Sequence, residues 1–274
     1  VTTFGSWLDI DGDTLIASAS RDQVGTNDQQ GAAYVFVRSG GSWSLQARLV
    51  AADGAAGDQL GSGVALSGDT ALVGAWLDGV GANLRQGSAY VFSRTAGVWS
   101  QQARLVAQDG GSESFFGIAV ALEGDTALVG APFAQVGVNT YPGAAYVFTR
   151  SGSDWSQAAK LASADGATGD RFGLALDLAG GMALIGAPST SVGSNSEQGA
   201  GYLFSLSQGA WIQDARIIAA DGRAGNGFGW DVSVSGNAAL VGTSGANGPP
   251  PYGNPREGAA YSVVNLGSLF GDGF

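Results

Sequence analysis

Residues 116–132 read FGIAVALEGDTALVGAP, and this stretch decides the fold. Two short apolar runs flank the pair Gly124-Asp125, which is the pattern of two antiparallel strands joined by a tight turn. The stretch recurs with a period of 56 residues, since its Phe-Gly start, or Leu-Gly in one copy, returns at residues 4, 60, 116, 172 and 228. A fixed period of this length predicts an array of repeated supersecondary units.

Each repeat contains four predicted strands, which we name a, b, c and d. In the second copy they cover residues 63–66, 70–75, 88–94 and 99–106. Strands a and b are apolar on both faces, as expected of strands buried between layers, whereas strand d alternates and is predicted at the outer edge. Four antiparallel strands in each repeat predict an all-β fold of the β-propeller type.

The repeats divide the chain into five predicted blades and a tail. We expect a single β-propeller domain over residues 1–266, with blades at 4–52, 60–108, 116–164, 172–220 and 228–266, and a C-terminal tail at 267–274. The last copy has no Trp-led strand d, and its Tyr261 is shifted by three residues. We therefore expect an upstream segment to complete the last blade; the alternative is a five-bladed ring whose final sheet has three strands.

These repeats resemble the FG-GAP repeat, which is named for a Phe-Gly start and a Gly-Ala-Pro end such as Gly130–Pro132. The resemblance implies the β-propeller of integrin α-subunit heads and of secreted bacterial proteins. It therefore implies an extracellular or cell-surface location in a bacterium. The family often carries calcium in an Asp-x-Asp-x-Asp-Gly loop, but the two-residue a–b turns of this chain are too short to supply 6–8 oxygen ligands. Calcium is possible here but not favoured.

The composition of the 274 residues excludes several classes of function. The absence of His and Cys excludes a Ser-His-Asp triad, a Cys nucleophile and a zinc site of the Cys/His kind. A net charge of −11 opposes binding to nucleic acid, and no apolar stretch is long enough for membrane insertion. Paired carboxylates remain, and strand a could present Asp9, Asp177 and Asp231 as a glycoside hydrolase would. We expect the chain not to be an enzyme.

Charged residues fall into repeating and non-repeating groups. The repeating cations of strands c and d are interpreted as part of the scaffold, where they discourage edge-to-edge aggregation and can pair with carboxylates. They are Arg38, Arg94, Arg150, Arg48, Arg104, Lys160 and Arg216. The non-repeating cations all lie in b–c or d–a loops, which emerge on one face of an up-and-down blade. Variable loops on a rigid scaffold are where binding usually occurs.

Twelve variable loop residues form the predicted binding surface, on which we expect a protein or glycan ligand. They are Arg21, Asp22, Trp76, Asp78, Arg85, Phe133, Tyr141, Arg171, Glu197, Arg223, Tyr252 and Arg256. No metal site is predicted, and the weak candidates are Asp53, Asp58, Asp165 and Asp170, whose alternative role is to cap turns. Trp43 and Leu49 are predicted to share the core face of strand d, as are their repeats.

The sequence thus predicts a non-enzymatic extracellular β-propeller that binds or adheres through its b–c and d–a loops. Two alternatives stay open. The chain could be a purely structural segment of a larger surface protein, or a carboxylate-based glycoside hydrolase.

Overall fold

A computed structural model describes residues 3–245, 258–264 and 266. This part of the chain contains nineteen strands and no α-helix. The strands form four sheets of four strands and one sheet of three. The predicted all-β architecture of five propeller blades is confirmed, and within the described residues the last blade has three strands, as predicted. The predicted site residues Tyr252 and Arg256, and the tail, lie outside the described residues.

The strands are numbered in chain order, with four in each of blades 1 to 4 and three in blade 5. Blade 1 contains β1 (Leu8–Asp11), β2 (Thr14–Ala19), β3 (Ala32–Ser39) and β4 (Ser42–Leu49). Blade 2 contains β5 (Leu60–Ser67), β6 (Thr70–Ala75), β7 (Ser88–Thr95) and β8 (Val98–Leu105). Blade 3 contains β9 (Val120–Glu123), β10 (Thr126–Ala131), β11 (Ala144–Ser151) and β12 (Asp154–Leu161). Blade 4 contains β13 (Ala175–Ala179), β14 (Met182–Ala187), β15 (Ala200–Ser207) and β16 (Ala210–Ile217). Blade 5 contains β17 (Phe228–Ser235), β18 (Ala238–Thr243) and β19 (Ala259–Val264).

In each blade the strands pair in sequence order, so that strands a and d are the two edges of blades 1 to 4 and strands a and c those of blade 5. Two-residue turns join strands a and b, as the Gly-Asp pairs predict. At the end of the b–c loop a glycine has a left-handed backbone; Gly87, for example, has φ of 86°. A β-carbon at Gly87 would collide with the carbonyl of Phe116, because the next blade begins against it. Glycine is therefore required where consecutive blades meet.

A β-bulge in strand d overturns the prediction that Trp43 and Leu49 share one face. The pairing of β3 with β4 shifts register between Val35 and Phe36, so that Gln46 is an extra residue. An extra residue reverses the alternation of side chains between the two faces. Leu49 is accordingly buried, whereas Trp43 is 41% exposed. The prediction of a core role is thus correct for Leu49 and wrong for Trp43, whereas the repeat Trp99 is partly buried against the core of unit 1.

The chain divides into two compact units. Unit 1 comprises Val1–Val129 and Tyr146–Ala158. Its core packs blade 1 residues such as Ile16 and Val35 against blade 2 residues such as Leu60 and Val64. This core lies between the faces of consecutive sheets.

Unit 2 comprises Gly130–Ala145 and Ala159–Phe274. Its core packs Leu184 and Leu203 of blade 4 against Phe228 and Val232 of blade 5. These four residues occupy the repeat positions that form the core of unit 1. Blades 1 and 2 thus pack on each other through the same repeat positions as blades 4 and 5.

Candidate functional site

The b–c and d–a loops of a blade are held together by an amide ladder that recurs with the repeat. In blade 2 the Nδ2 of Asn83 donates to Oε1 of Gln86 at 2.8 Å and to the carbonyl of Gly110 at 3.1 Å. The Nε2 of Gln86, which is buried, donates to the carbonyl of Ala107 at 3.1 Å. Both loop types therefore lie side by side at one end of the blade. Sequence reasoning missed this ladder, although its members repeat: Asn27, Gln30, Asn195 and Gln198 form the same bonds in blades 1 and 4.

Asp78, a predicted ligand contact, is instead part of this scaffold. Its side chain is 8% exposed and its Oδ2 accepts hydrogen bonds from the hydroxyls of Ser88 and Tyr90. The same oxygen lies 2.6 Å from Nη2 of Arg104, which comes from strand d. Burial is the main cause that raises the pKa of the Tyr90 hydroxyl, and the charge of the nearby Asp78 raises it further. The Asp78 carboxylate thus ties the b–c loop to strands c and d through its Oδ2.

Asp22 has the equivalent role in blade 1. Its Oδ2 accepts a hydrogen bond from the hydroxyl of Tyr34 at 2.6 Å and another from Arg48 at 2.8 Å. Arg48 also lies over the Tyr34 ring, 5.8 Å from its centroid. The predicted pairing of strand d cations with carboxylates is therefore present in both blades.

The a–b turns supply a second set of scaffold ion pairs. Nε of Arg94 donates to the Asp69 carboxylate at 2.6 Å, and its guanidinium lies 5.0 Å from the Trp99 ring centroid. The same arrangement recurs at Arg38 with Asp13 and at Arg150 with Asp125. The Asp of the turn and the Arg of strand c therefore hold the a–b end of the blade.

The four weak metal candidates are occupied by turns and ion pairs. Oδ2 of Asp58 accepts the backbone N–H of Ala55 at 2.6 Å, which is the turn-capping role considered for it. Asp170 accepts the N–H of Ala167 in the same way at 2.9 Å. Burial raises the pKa of both aspartates. Asp53 pairs with Arg104 at 3.2 Å and Asp165 pairs with Arg216 at 2.9 Å. Among the described residues, no cluster of three or more Asp or Glu side chains could hold a metal ion.

The strand a aspartates of the hydrolase alternative also form structural hydrogen bonds. Oδ2 of Asp9 accepts the backbone N–H of Leu66, in the next blade, at 2.7 Å. Oδ2 of Asp177 accepts the backbone N–H of Val234 at 2.7 Å and the hydroxyl of Ser233 at 3.0 Å. Each carboxylate therefore joins strand a of its own blade to strand a of the next.

One repeat position combines a constant backbone with a variable side chain. Gln29, Arg85, Tyr141 and Glu197 follow one another at 56-residue intervals and have φ between 52° and 57°. This left-handed conformation costs an L-residue about 1–2 kcal/mol, and glycine would adopt it freely. The four side chains nevertheless include an amide, a cation, a phenol and an anion. We call this the variable position.

In unit 1 the variable position borders a connected row of polar and aromatic side chains. Nε1 of Trp76 donates to Oε1 of Gln59 at 2.9 Å, and Nε2 of Gln59 donates to Oε1 of Gln29 at 3.2 Å. The Trp76 ring packs against Phe115 with centroids 5.3 Å apart. A cleft of about 540 Å³ is lined in part by Gln29, Gln59 and Arg85. Two predicted site residues, Trp76 and Arg85, therefore lie near this cleft.

In unit 2 three predicted site residues meet. The Phe133 and Tyr141 rings pack edge to face at 5.8 Å, and the Arg171 guanidinium lies 5.6 Å from the Phe133 centroid. Arg171 also has a left-handed backbone, with φ of 59°. This cluster leaves Tyr141 45% exposed.

The other predicted site residues are dispersed. Arg21 lies in the turn after β2, Glu197 at the variable position of blade 4 and Arg223 in the d–a loop before blade 5; all three are exposed. Among the described residues, the structure therefore brings predicted site residues together in one local cluster in each unit. Among the described residues, no helix is long and apolar enough to cross a membrane.

A family model described as the FG-GAP repeat matches residues 43–92, 99–148, 155–204 and 211–264. Together these segments cover about three quarters of the chain. Each segment begins at the Trp of strand d and ends in strand c of the next blade, so it joins two consecutive sheets. No curated protein matches the chain.

Proposed function

The chain belongs to the FG-GAP repeat family, and from this premise we propose that it is a non-enzymatic, extracellular or cell-surface binding module. Its protein or glycan ligand contacts the loop surface, which we define as the exposed side chains of the b–c and d–a loops. The centre of this surface is the variable position, at Gln29, Arg85, Tyr141 and Glu197.

The carrying observation is the combination of a fixed backbone and a changing side chain at the variable position. All four residues hold the same left-handed conformation, although glycine would be less strained there. Backbone strain in ordered loops is concentrated at functional sites. The amide ladder fixes these loops in blades 1, 2 and 4, and in blade 3, where Pro142 stands at the glutamine position, Asn139 still donates to the carbonyl of Gly166 at 3.0 Å. The side chains at the variable position are therefore available to determine what is bound. The aromatic rings and cation near Tyr141 offer stacking and hydrogen bonding of the kind found at binding surfaces.

Non-enzymatic function is supported by the state of the candidate acids. Asp9 and Asp177 each accept a backbone N–H of the following blade. A glycosidase needs two acids facing one cleft, with one raised in pKa to act as the acid. The carboxyls of raised pKa, Asp58 and Asp170, cap turns at the loops instead.

The test uses a glycan microarray and an array of immobilised extracellular-matrix proteins, probed with the labelled chain. The loop variant R85G/Y141G/E197G removes three variable side chains and leaves the backbone in a conformation that glycine accepts. The matched control, A96G/Q208G, makes the same kind of change at c–d turns, where Ala96 and Gln208 have φ of 50° and 51°.

We expect the loop variant to lose at least tenfold in signal on the spots that the unmodified chain binds, and the control to retain them. Equal binding by the loop variant would contradict the proposed surface. Absence of signal on both arrays would contradict the binding function and favour a structural role.

A further inference from the structure

The d–a loops contain a second left-handed position, which lies beside the variable position. Its residues follow one another at 56-residue intervals and have φ between 53° and 64°; they are Gln59, Phe115, Arg171 and Gly227. In unit 1 the backbone N–H of Gln59 donates to the carbonyl of Gln29 at 3.1 Å. The N–H of Phe115 donates to the carbonyl of Arg85 in the same way, at 3.2 Å. Each variable residue of unit 1 is therefore paired with another residue of strained backbone, as is typical of ligand sites.

The side chains of the first pair belong to a row of hydrogen bonds whose direction is fixed by Trp76. An indole N–H can only donate, so Nε1 of Trp76 faces the amide oxygen of Gln59, at 2.9 Å. The amide nitrogen of Gln59 therefore faces Gln29, whose Oε1 accepts its hydrogen bond at 3.2 Å. The row ends at Nε2 of Gln29, an amide donor that bonds to none of the described residues.

Gln29 lines the cleft of about 540 Å³, which we call the unit 1 cleft and define by Asp28, Gln29, Gln59 and Arg85. Its volume lies within the range of small-molecule sites. Within the part of the chain that the structure describes, the Asp28 carboxylate accepts no hydrogen bond and forms no ion pair. Arg85 pairs with Glu113 at 3.5 Å, but the two side chains are 59% and 44% exposed, so the attraction is weak. The cleft therefore offers an amide donor, a carboxylate acceptor and a guanidinium donor.

Apolar side chains border the same cleft. Leu77 lines it and is half-buried, and Trp76 precedes Leu77 in the chain. The half-buried rings of Trp76 and Phe115 pack with centroids 5.3 Å apart. A sugar ring carries hydroxyls, which both donate and accept hydrogen bonds, around a ring whose C–H groups are apolar. Polar groups of both kinds beside apolar side chains are therefore complementary to a sugar.

The charges of the cleft favour an uncharged ligand. Asp28 and Arg85 contribute one charge of each sign, and Glu113 adds a negative charge beside Arg85. A cationic ligand would meet the Arg85 guanidinium. An anionic ligand would meet Asp28 and the field of a chain whose net charge is −11. A neutral polar ligand avoids both costs.

We propose that the unit 1 cleft is a binding site for a short, neutral oligosaccharide. Nε2 of Gln29 and the guanidinium of Arg85 donate to oxygens of the sugar, and the Asp28 carboxylate accepts hydrogen bonds from its hydroxyls. Trp76 fixes the direction of the amide row and so presents the Gln29 donor. This inference rests on the proposed function, since it names the ligand class and one site on the loop surface.

The test is isothermal titration calorimetry of the full chain with free oligosaccharides. The probes are short oligomers of glucose, galactose, mannose and N-acetylglucosamine, and oligomers of galacturonic acid form the acidic arm. Gln29→Gly removes the amide donor, and Asp28→Asn removes the carboxylate charge at constant size. The matched control is Gln208→Gly, the same substitution at a c–d turn, because Gln29 and Gln208 have φ of 52° and 51°. Glycine adopts this conformation freely, and urea denaturation verifies that each variant is folded.

We expect the unmodified chain to bind at least one neutral oligomer, and to bind it more tightly than the acidic oligomers. Gln29→Gly and Asp28→Asn should each weaken that binding at least tenfold, whereas Gln208→Gly should retain it. The inference would be overturned if no neutral oligomer bound, if the acidic oligomers bound more tightly, or if either cleft variant kept full affinity. A loss in Gln208→Gly as large as that in Gln29→Gly would overturn it as well.

These failures differ from a failure of the proposed function. Suppose that the chain binds immobilised proteins and loses them in R85G/Y141G/E197G, but binds no neutral oligomer. The loop surface would then stand, and the assignment of an oligosaccharide would be wrong. If a neutral oligomer is lost in R85G/Y141G/E197G but kept in Gln29→Gly, the loop surface again stands, and the assignment of the unit 1 cleft is wrong.

Discussion

Substitution of the Phe that begins a repeat should have very different effects in blades 1 and 3. Phe116 is 0% exposed, and its ring packs edge to face on Tyr146 and Phe148 at 5.5 and 6.0 Å. Phe4 makes the same kind of contacts in its own blade, with Tyr34 and Phe36 at 5.6 and 6.4 Å, but is 58% exposed. The pair therefore separates burial by the neighbouring blade from packing within a blade.

We expect Phe116→Ala to reduce the free energy of unfolding by about 3–5 kcal/mol, because it removes a large side chain from a closed core. Phe4→Ala should reduce it by about 1 kcal/mol, because more than half of that side chain is already in water. The measurement is urea denaturation followed by far-ultraviolet circular dichroism, at a concentration where the chain is monomeric. Equal losses from both substitutions, or a loss below about 1 kcal/mol for Phe116→Ala, would refute the packing described at the blade junctions.

Three further predictions concern the scaffold. Arg104→Ala leaves the buried Asp78 carboxylate without its cation and should lower the free energy of unfolding by about 2 kcal/mol or more. Arg38→Ala removes an exposed ion pair and should lower it by no more than about 1 kcal/mol. Similar urea midpoints for the two variants would argue against the buried role of Asp78. Gly87→Ala should lower the free energy of unfolding by about 2 kcal/mol or more, because a β-carbon there collides with Phe116. Gly97 has a similar φ but open space around it, so Gly97→Ala should lower the free energy of unfolding by only about 1 kcal/mol. Thermal melts that rank the two variants in the opposite order would be inconsistent with the close approach of Phe116. Burial raises the pKa of the Asp58 carboxyl, so the folded state binds the carboxyl proton more tightly than the unfolded state does. The free energy of unfolding therefore falls as the pH rises from the ordinary aspartate pKa of about 4 through the raised value. Asp58→Asn, which mimics the natural Asn226 turn, should therefore raise the urea midpoint at neutral pH and flatten its pH dependence; a lower midpoint would show that the charged carboxylate is needed.

Local pattern and period together predicted most of the fold. Strand b of blade 2 lies at Thr70–Ala75 as predicted. Strand c ends one residue later than predicted, and strand d begins and ends one residue earlier. These elements were predictable because a two-residue turn fixes the register between neighbouring strands. The position of Trp43 was not predictable, because the bulge at Gln46 is a feature of strand pairing that leaves no clear mark in one strand alone.

The candidate site was only partly predictable for a different reason. Asp78 lies in a loop whose sequence varies between copies, so it resembled a ligand contact, but its partners Tyr90 and Arg104 come from strands c and d. These contacts join residues that are distant in sequence and that come together only when the strands of the blade pair. Arg85, Tyr141 and Glu197 were predicted as variable loop residues, but Gln29 was not, and the left-handed backbone that the four residues share became visible only in three dimensions. The repetition of the amide-ladder residues, such as Asn83 and Gln86, is the sequence signal that could have separated the side chains that support the loops from the others.

The central claim is that one repeated scaffold carries loop side chains that determine binding and not stability. An exchange of Leu84-Arg85 with Ser196-Glu197 tests it directly, since the two pairs occupy equivalent repeat positions and both second residues have φ of 52°. The account predicts that the exchanged chain keeps its urea midpoint to within the equivalent of about 0.5 kcal/mol and changes its pattern of bound spots on the arrays. A loss of stability well above that value, or an unchanged pattern of bound spots, would contradict the claim.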